Sequence, residues 1–114
     1  MLPKENRLVR KPDFEKVKEK GEKFQSNLFG LLVYPTDGER TRFGFVISTK
    51  LSKRAVKRNR VKRILREQVR LSLPKIKNGF DVIFLGKKAL LEIGYKEVGD
   101  EIKRLFKKSG LLEE

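Results

Sequence analysis

Between Lys53 and Arg70 the chain carries nine basic residues and one acid, Glu67. The chemistry of such a run is recognition of polyanions. An arginine fork grips a phosphate through two parallel hydrogen bonds, and lysine adds a mobile point charge. Wound at 100° per residue, the segment separates into two sides. Val61, Ile64, Leu65 and Val69, with Gln68 among them, make an inward stripe, and Asn59, Lys62, Arg63, Arg66 and Arg70 make the opposite band. Arg58 and Arg60 fall on the flanks of the stripe, where they can reach toward a sheet edge or hold neighbouring elements. Lys53 opens the run. Asn59, uncharged within the band, can read a base edge, bridge a water or ion, or fix a neighbouring arginine. The bland alternative is a solvated charge row, and the density of charge with a single acid nearby favours nucleic-acid contact.

Other chemistry is limited by what the chain lacks. It has no Cys and no His, which excludes disulfides, thiolate chemistry and Cys/His zinc sites, and removes the commonest general base. Asp13, Asp37, Asp81 and Asp100 are spread over different elements and offer no convincing nuclease site; a metal nuclease stays open only through carboxylates. Net charge is +14, whereas a magnitude of roughly 2–8 is ample for solubility. The excess calls for a polyanionic partner: nucleic acid first, an anionic membrane surface second. The membrane reading is weaker because the stripe of the basic helix lacks the large aromatics that interfacial helices favour. No run approaches 18 apolar residues, and Met1 to Asn6 is not followed by the apolar region of a signal peptide. A cytoplasmic protein without a membrane partner is expected.

The elements that must position the basic run read as helix, strands, long helix, strand, helix, in one domain over residues 1–114. Pro12 suits the first turn of a helix that Gly21 ends. Leu28 to Tyr34 is an apolar strand, with Phe24 in a shorter one before it. Pro35-Thr36-Asp37-Gly38 is a turn, after which Phe43, Phe45 and Ile47 alternate with Arg42, Gly44 and Val46. An antiparallel hairpin across Asp37-Gly38 is expected. Ser52 is the expected cap of a helix from about Arg54 to Ser72. Phe80 to Leu85 is a compact strand, Gly86 to Glu92 a loop with one short turn. A last helix runs from about Tyr95 to Lys107, with Val98, Ile102, Leu105 and Phe106 on one stripe. A sheet with helices packed on it accommodates these elements, whereas a helical bundle leaves the alternating segment around Phe43 without a role.

Arg58-Asn59-Arg60 with Lys62-Arg63 and Arg66, preceded by Arg42-Phe43-Gly44-Phe45-Val46-Ile47-Ser48, resembles the core motif of the bacterial ribonuclease P protein component. Asn6-Arg7-Leu8, Asp13-Phe14 and Gly21 resemble that family's N-terminal motif, and the resemblance covers nearly the whole chain. It implies an α/β (α+β) sandwich like domain 2 of ribosomal protein S5. Its small central sheet is mostly antiparallel, and its βαβ crossover is left-handed, where physics alone favours the right-handed connection. It further implies a protein subunit that binds the catalytic ribonuclease P RNA and the single-stranded 5′ leader of precursor tRNA. The RNA and its divalent metal ions (Mg2+) hydrolyse the phosphodiester, and the protein holds no catalytic residue and no tightly bound cofactor. The function from another class is a structural RNA-binding protein, such as a ribosomal protein.

The resemblance also implies a leader cleft between the sheet and the first helix, with Phe14 as its stacking residue. On pattern alone, Phe14 packs with Val17 in the core. Relatives often carry a second aromatic where this chain has Lys18, which implies a more electrostatic cleft. The strand aromatic of relatives corresponds to Leu32, and Tyr34 offers a ring two positions along on the same face. Phe43 and Phe45 share a face that parity leaves as either core or cleft. Phe24, Phe29, Phe80, Phe84 and Phe106 are assigned mostly to the core.

Overall fold

The computed structural model describes residues 2–112. The two most apolar strands take the middle of the sheet. In chain order the elements are α1 (Lys11–Lys20), β1 (Glu22–Gln25), β2 (Phe29–Pro35), β3 (Arg42–Val46), α2 (Ala55–Ser72), β4 (Phe80–Gly86) and α3 (Tyr95–Lys108). The strands lie in the sheet in the order β1-β2-β4-β3, with β2 and β4 in the middle. Strands buried on both faces read as continuous hydrophobic runs, and Val82, Ile83 and Phe84 are fully buried. β4 pairs antiparallel with β2, Leu32 opposite Ile83, and parallel with β3, Gly44 opposite Ile83. The sheet is therefore mostly antiparallel, with β3, α2 and β4 forming a βαβ unit.

The expected hairpin across Asp37-Gly38 is absent: β4 lies between β2 and β3. The turn instead carries the chain past the place β4 will fill and is tied to its entry. Thr36 donates its N–H to the Gly79 carbonyl at 2.7 Å, and the Thr41 hydroxyl donates to the Lys77 carbonyl at 2.5 Å. Gly79 itself has φ of 93°, a conformation that favours glycine. The outer edge of β3 is met by the N-terminal segment, where the Leu8 N–H donates to the Phe43 carbonyl at 2.9 Å and the buried Asn6 amide donates to the Thr41 carbonyl at 2.8 Å. Such cover blunts an edge that would otherwise template pairing with another chain.

Alternation along the strands divides the side chains between two helical layers. On one face Phe29, Leu31, Val33, Phe43, Val82 and Phe84 pack with Val61, Leu65 and Val69 of α2 and Val98, Ile102, Leu105 and Phe106 of α3. Phe84 is the hub, its ring centroid 5.1 Å from Phe29, 5.2 Å from Phe45 and 6.0 Å from Phe106. Phe43 and Phe45 thus belong to the core face. On the other face α1 lies over β2 and β4, with Val17, Leu8, Leu32 and Ile83 buried together.

Two further boundaries differ from the sequence reading. Ser52 does not cap α2: the N-cap is Arg54, with no side-chain capping bond. Ser52 stands too early and closes the turn before the helix, its hydroxyl accepting from the Arg54 N–H at 3.2 Å. The segment after β4 is more ordered than a loop, a 3-10 helix over Lys88–Glu92 that buries Leu90 and Leu91. Ile64, assigned to the inward stripe of α2, is half-buried at its margin.

Candidate nucleic-acid interface

The α1 face of the sheet is a shallow trough. Its floor alternates with the core residues and follows from register: Tyr34, Asp81 and Arg42 lie side by side in one row, then Leu32, Ile83 and Gly44, then Gly30, Leu85 and Val46. Leu32 and Ile83 are covered, whereas Val46 and Leu85 remain half-buried. Phe14 is half-buried on α1, its ring laid on a strand position without a side chain. A Cβ at Gly44 would stand 2.5 Å from the Phe14 ring tip. Lys18, one turn further along α1, is exposed. Tyr34 is half-buried, with Lys16 Nζ 5.6 Å from its ring centroid, a cation–π distance.

At the head of the trough two carboxylates converge on one guanidinium. Arg42 donates Nε at 2.9 Å and Nη2 at 2.7 Å to the two oxygens of buried Asp81, and Nη1 at 3.4 Å to Asp13 in the first turn of α1. The Arg42 pKa is held above its ordinary value, chiefly by the hydrogen bonds to Asp81. Asp13 and Asp81, counted from the sequence as scattered acids, come together here to fasten α1 to the sheet. Among the described residues no group of three or more His, Cys, Asp or Glu is placed to hold a metal ion.

On the other side of the sheet α2 presents the basic band. Asn59, Arg60, Arg63 and Arg66 are exposed, and Lys62 is half-buried. Lys53 is exposed just before the helix. Arg58 is half-buried and donates Nη1 to the Ser52 carbonyl at 2.8 Å, so it braces the loop that leads into the helix. Arg70 is held by Glu67, with Nη2 2.5 Å and Nε 3.1 Å from the carboxylate oxygens. The pair depresses the Glu67 pKa through that hydrogen bond and leaves Arg70 less available than its place in the band suggests. Asn59, Arg63 and Arg66 border one hollow of about 430 Å³, and Arg60 and Arg63 border another of about 500 Å³ that is closed by Tyr95. No sequence signal marks Tyr95 as part of this surface; tertiary packing brings it from the start of α3.

The trough and the band meet. Phe14 and Arg66 both border a hollow of about 150 Å³ at the β3 edge, together with Leu8, Val9 and Gly44. Residues placed in separate groups by the sequence thus form one continuous surface around that edge.

Comparison with known proteins agrees with this arrangement. The model of the family described as Ribonuclease P matches residues 2–110. The ribonuclease P protein component of Pseudanabaena sp. (strain PCC 6903) is 37% identical over 98% of this chain and 97% of its own length. That of Clostridium kluyveri is 36% identical over 92% and 95%. This chain belongs to the ribonuclease P protein family. The fold corresponds as well. The RNase P protein from Thermotoga maritima superposes with a TM-score of 0.82 at 28% identity, over 90% of this chain and 96% of that one. A Staphylococcus aureus RNase P protein, 23% identical, shares the fold at 0.88 over 96% and 92%. As a ribonuclease P protein component the chain is a subunit of a ribonucleoprotein endoribonuclease, and its membership favours no ribosomal role. No described helix is long and apolar enough to cross a membrane.

Proposed function

We propose that the trough under α1 holds the single-stranded 5′ leader of precursor tRNA while the outer band of α2 holds the catalytic ribonuclease P RNA. Phosphodiester hydrolysis belongs to that RNA and its Mg2+ ions. The observation that carries this reading is the shared hollow bordered by Phe14 and Arg66: a strand lying on an apolar floor reaches phosphate-binding arginines without leaving the surface. Phe14 and Tyr34 supply rings on which bases stack, in contacts worth roughly 1–3 kcal/mol each. Lys18, one turn beyond Phe14 on α1, supplies charge where relatives often carry a second aromatic. Asn59, Arg63 and Arg66 are free to contact phosphates, Arg60 and Lys62 stand at their flanks and Lys53 at the entry. Arg58 acts by bracing, and Arg70 must exchange Glu67 for RNA.

The experiment is cleavage of precursor tRNA by the catalytic RNA at low Mg2+, with and without the protein, using wild type, Arg63→Ala/Arg66→Ala and Phe14→Ala. Wild type should restore cleavage. The double arginine variant should assemble less tightly with the catalytic RNA, its log–log salt slope shallower by roughly 0.7–0.9 for each phosphate no longer neutralised. Phe14→Ala should lower affinity for precursor but barely for mature tRNA, by about 1–3 kcal/mol. Equal losses for the two tRNAs, with a collapsed melting temperature, would assign Phe14 to the core and remove it from the cleft.

A further inference from the structure

A third surface lies apart from both the trough and the basic band. The inward stripe of α2 continues past the sheet as Gln68 and Leu71, and there the helix, the segment after it and the outer side of α3 enclose a groove of about 840 Å³. Lys75 and Lys77 stand on one wall, Lys103 and Lys107 on the other. Their placement follows from local structure. Ile76 is buried and bridged to Leu112, and the Lys77 N–H donates to the Leu111 carbonyl at 2.8 Å. Lys75 ends the 3-10 turn Leu73–Lys75 and Lys77 follows the buried Ile76, and both side chains are exposed. Lys103 and Lys107 are four apart on α3 and share a face.

Attraction of lysine to a helix C-terminus accounts for Lys107, but Lys103 lies before the last turn and Lys75 and Lys77 lie outside either α-helix. Among the described residues none of the four forms an ion pair and no acid lines the groove. The acids of α3 lie elsewhere: Glu97, Asp100 and Glu101 border a separate hollow of about 360 Å³ together with Arg104, which pairs with Glu101. The groove is thus lined by lysines of α3 without its acids.

We infer that this groove is a second RNA-docking surface, which holds the phosphate backbone of a double-stranded segment of the catalytic RNA. The inference rests on the ribonucleoprotein reading above. Its occupant follows from the lining. Among the described residues no aromatic lines the groove on which an unstacked base could lie, which disfavours a single strand. The two polar side chains that could read bases are engaged internally, Gln68 donating to the Tyr95 carbonyl at 3.2 Å and Ser72 to the Gln68 carbonyl at 3.2 Å. What remains is four point charges on two walls and exposed Leu71 between them, suited to phosphate and sugar and indifferent to sequence. The sheet separates the groove from the trough, so a tRNA tethered by its leader on the α1 face is directed away from it. The protein would then bridge two parts of one RNA.

The test uses the full chain with Lys75→Gln, Lys77→Gln, Lys103→Gln and Lys107→Gln combined. Affinity is measured across a salt series for the catalytic RNA, for mature tRNA, and for a short arbitrary RNA duplex and single strand. The variant should melt like wild type, since all four side chains are exposed. Its salt slope on the catalytic RNA should be shallower by about 3, four phosphates at roughly 0.7–0.9 each. Wild type should prefer the duplex to the single strand in a lysine-dependent way, and the ratio of precursor to mature tRNA affinity should not move. An unchanged slope on the catalytic RNA, or a loss confined to tRNA, or to the single strand, overturns the groove while leaving the cleft and the α2 band standing. Failure of wild type to bind the catalytic RNA at all would instead overturn the parent reading. If the quadruple variant melts early, the pair Lys103→Gln/Lys107→Gln is measured in its place, with half the slope change expected.

Discussion

The two faces of one sheet are built to opposite standards. Toward α2 and α3, twenty buried apolar residues among those described form a single cluster centred on Phe84, whereas toward α1 four do. The first face is a core in the ordinary sense, where bulk and close packing set stability. The second is a thin layer with half-buried Phe14, Tyr34, Val46 and Leu85 around it, fixed by an ion-paired clasp at one end. The strands supply the rigidity and the sparse face uses it: a binding surface can leave apolar groups wet only if something else holds the backbone beneath them.

This contrast is open to direct attack, beginning on the dense side. Phe84→Ala removes the ring that touches Phe29, Phe45 and Phe106 and should cost about 3–5 kcal/mol. Chemical denaturation should show the loss, with all RNA ligands weakened together. At the clasp, Arg42→Ala leaves the buried Asp81 carboxylate without its guanidinium. A stability loss of about 1–3 kcal/mol is expected, and because Asp13 is released from the same group, leader affinity should fall further than mature tRNA affinity. Arg42→Lys should recover the charge but not the two-pronged geometry, and so only part of both losses. If Arg42→Ala were as damaging as Phe84→Ala, with no leader selectivity, the sparse face would be a second core.

On the floor of the trough, Gly44→Ala puts a methyl where the Phe14 ring tip lies. The ring must move, while the unfolded chain loses roughly 0.4–1 kcal/mol worth of freedom, so stability should change little. Leader-dependent affinity should drop by part of the Phe14→Ala effect, and no drop would mean that the position of the ring is unimportant. The smallest effect is expected at Glu92, exposed and bonded to Lys57 at 2.9 Å. The Lys57 hydrogen bond and charge lower the Glu92 pKa below 4.5, so the folded state binds fewer protons than the unfolded state just below that pH. The contribution is complete above 4.5 and lost as pH falls through the depressed value. Urea midpoints of Glu92→Gln and wild type should differ slightly near neutral pH and converge in acid.

The sequence revealed the parts that depend on local periodicity. The stripe of α3 and that of α2 are visible because 3.6-residue spacing is written in Val98, Ile102, Leu105 and Phe106 and in Val61, Leu65 and Val69. The order of strands is not local, and the mistaken hairpin shows why: a turn of suitable composition between two apolar segments is equally compatible with a strand inserted later. The same limit hid the Arg42, Asp81 and Asp13 clasp. Arg42 and Asp81 become neighbours only when β3 pairs with β4, and Tyr95 joins the arginine band only through the packing of α3. For Phe43 and Phe45 parity gave the shared face but not its partner. The charge row of α2 was legible as a row, and Arg58 as a residue able to hold neighbouring elements, while its Ser52 partner and the diversion of Arg70 to Glu67 were not, since each depends on where a carbonyl or carboxylate comes to rest.

The late arrival of β4 also governs how the molecule is made. It is hydrogen-bonded to β2 on one side and β3 on the other, yet it follows both in the chain, after the whole of α2. On the ribosome, until residues 80–86 emerge, β3 has no strand to pair with and β2 has only the short β1. The sheet can close only by long-range pairing, which has a high contact order and is slow. During that interval two apolar strand edges are open to the wrong neighbour, and the helix carrying the basic band has been synthesised with no completed sheet to lie on. A truncated chain ending before Phe80 should accordingly form no sheet beyond β1 and β2, and the folded domain should appear only once β4 and then α3, which brings Val98, Ile102, Leu105 and Phe106 to the core, are both free.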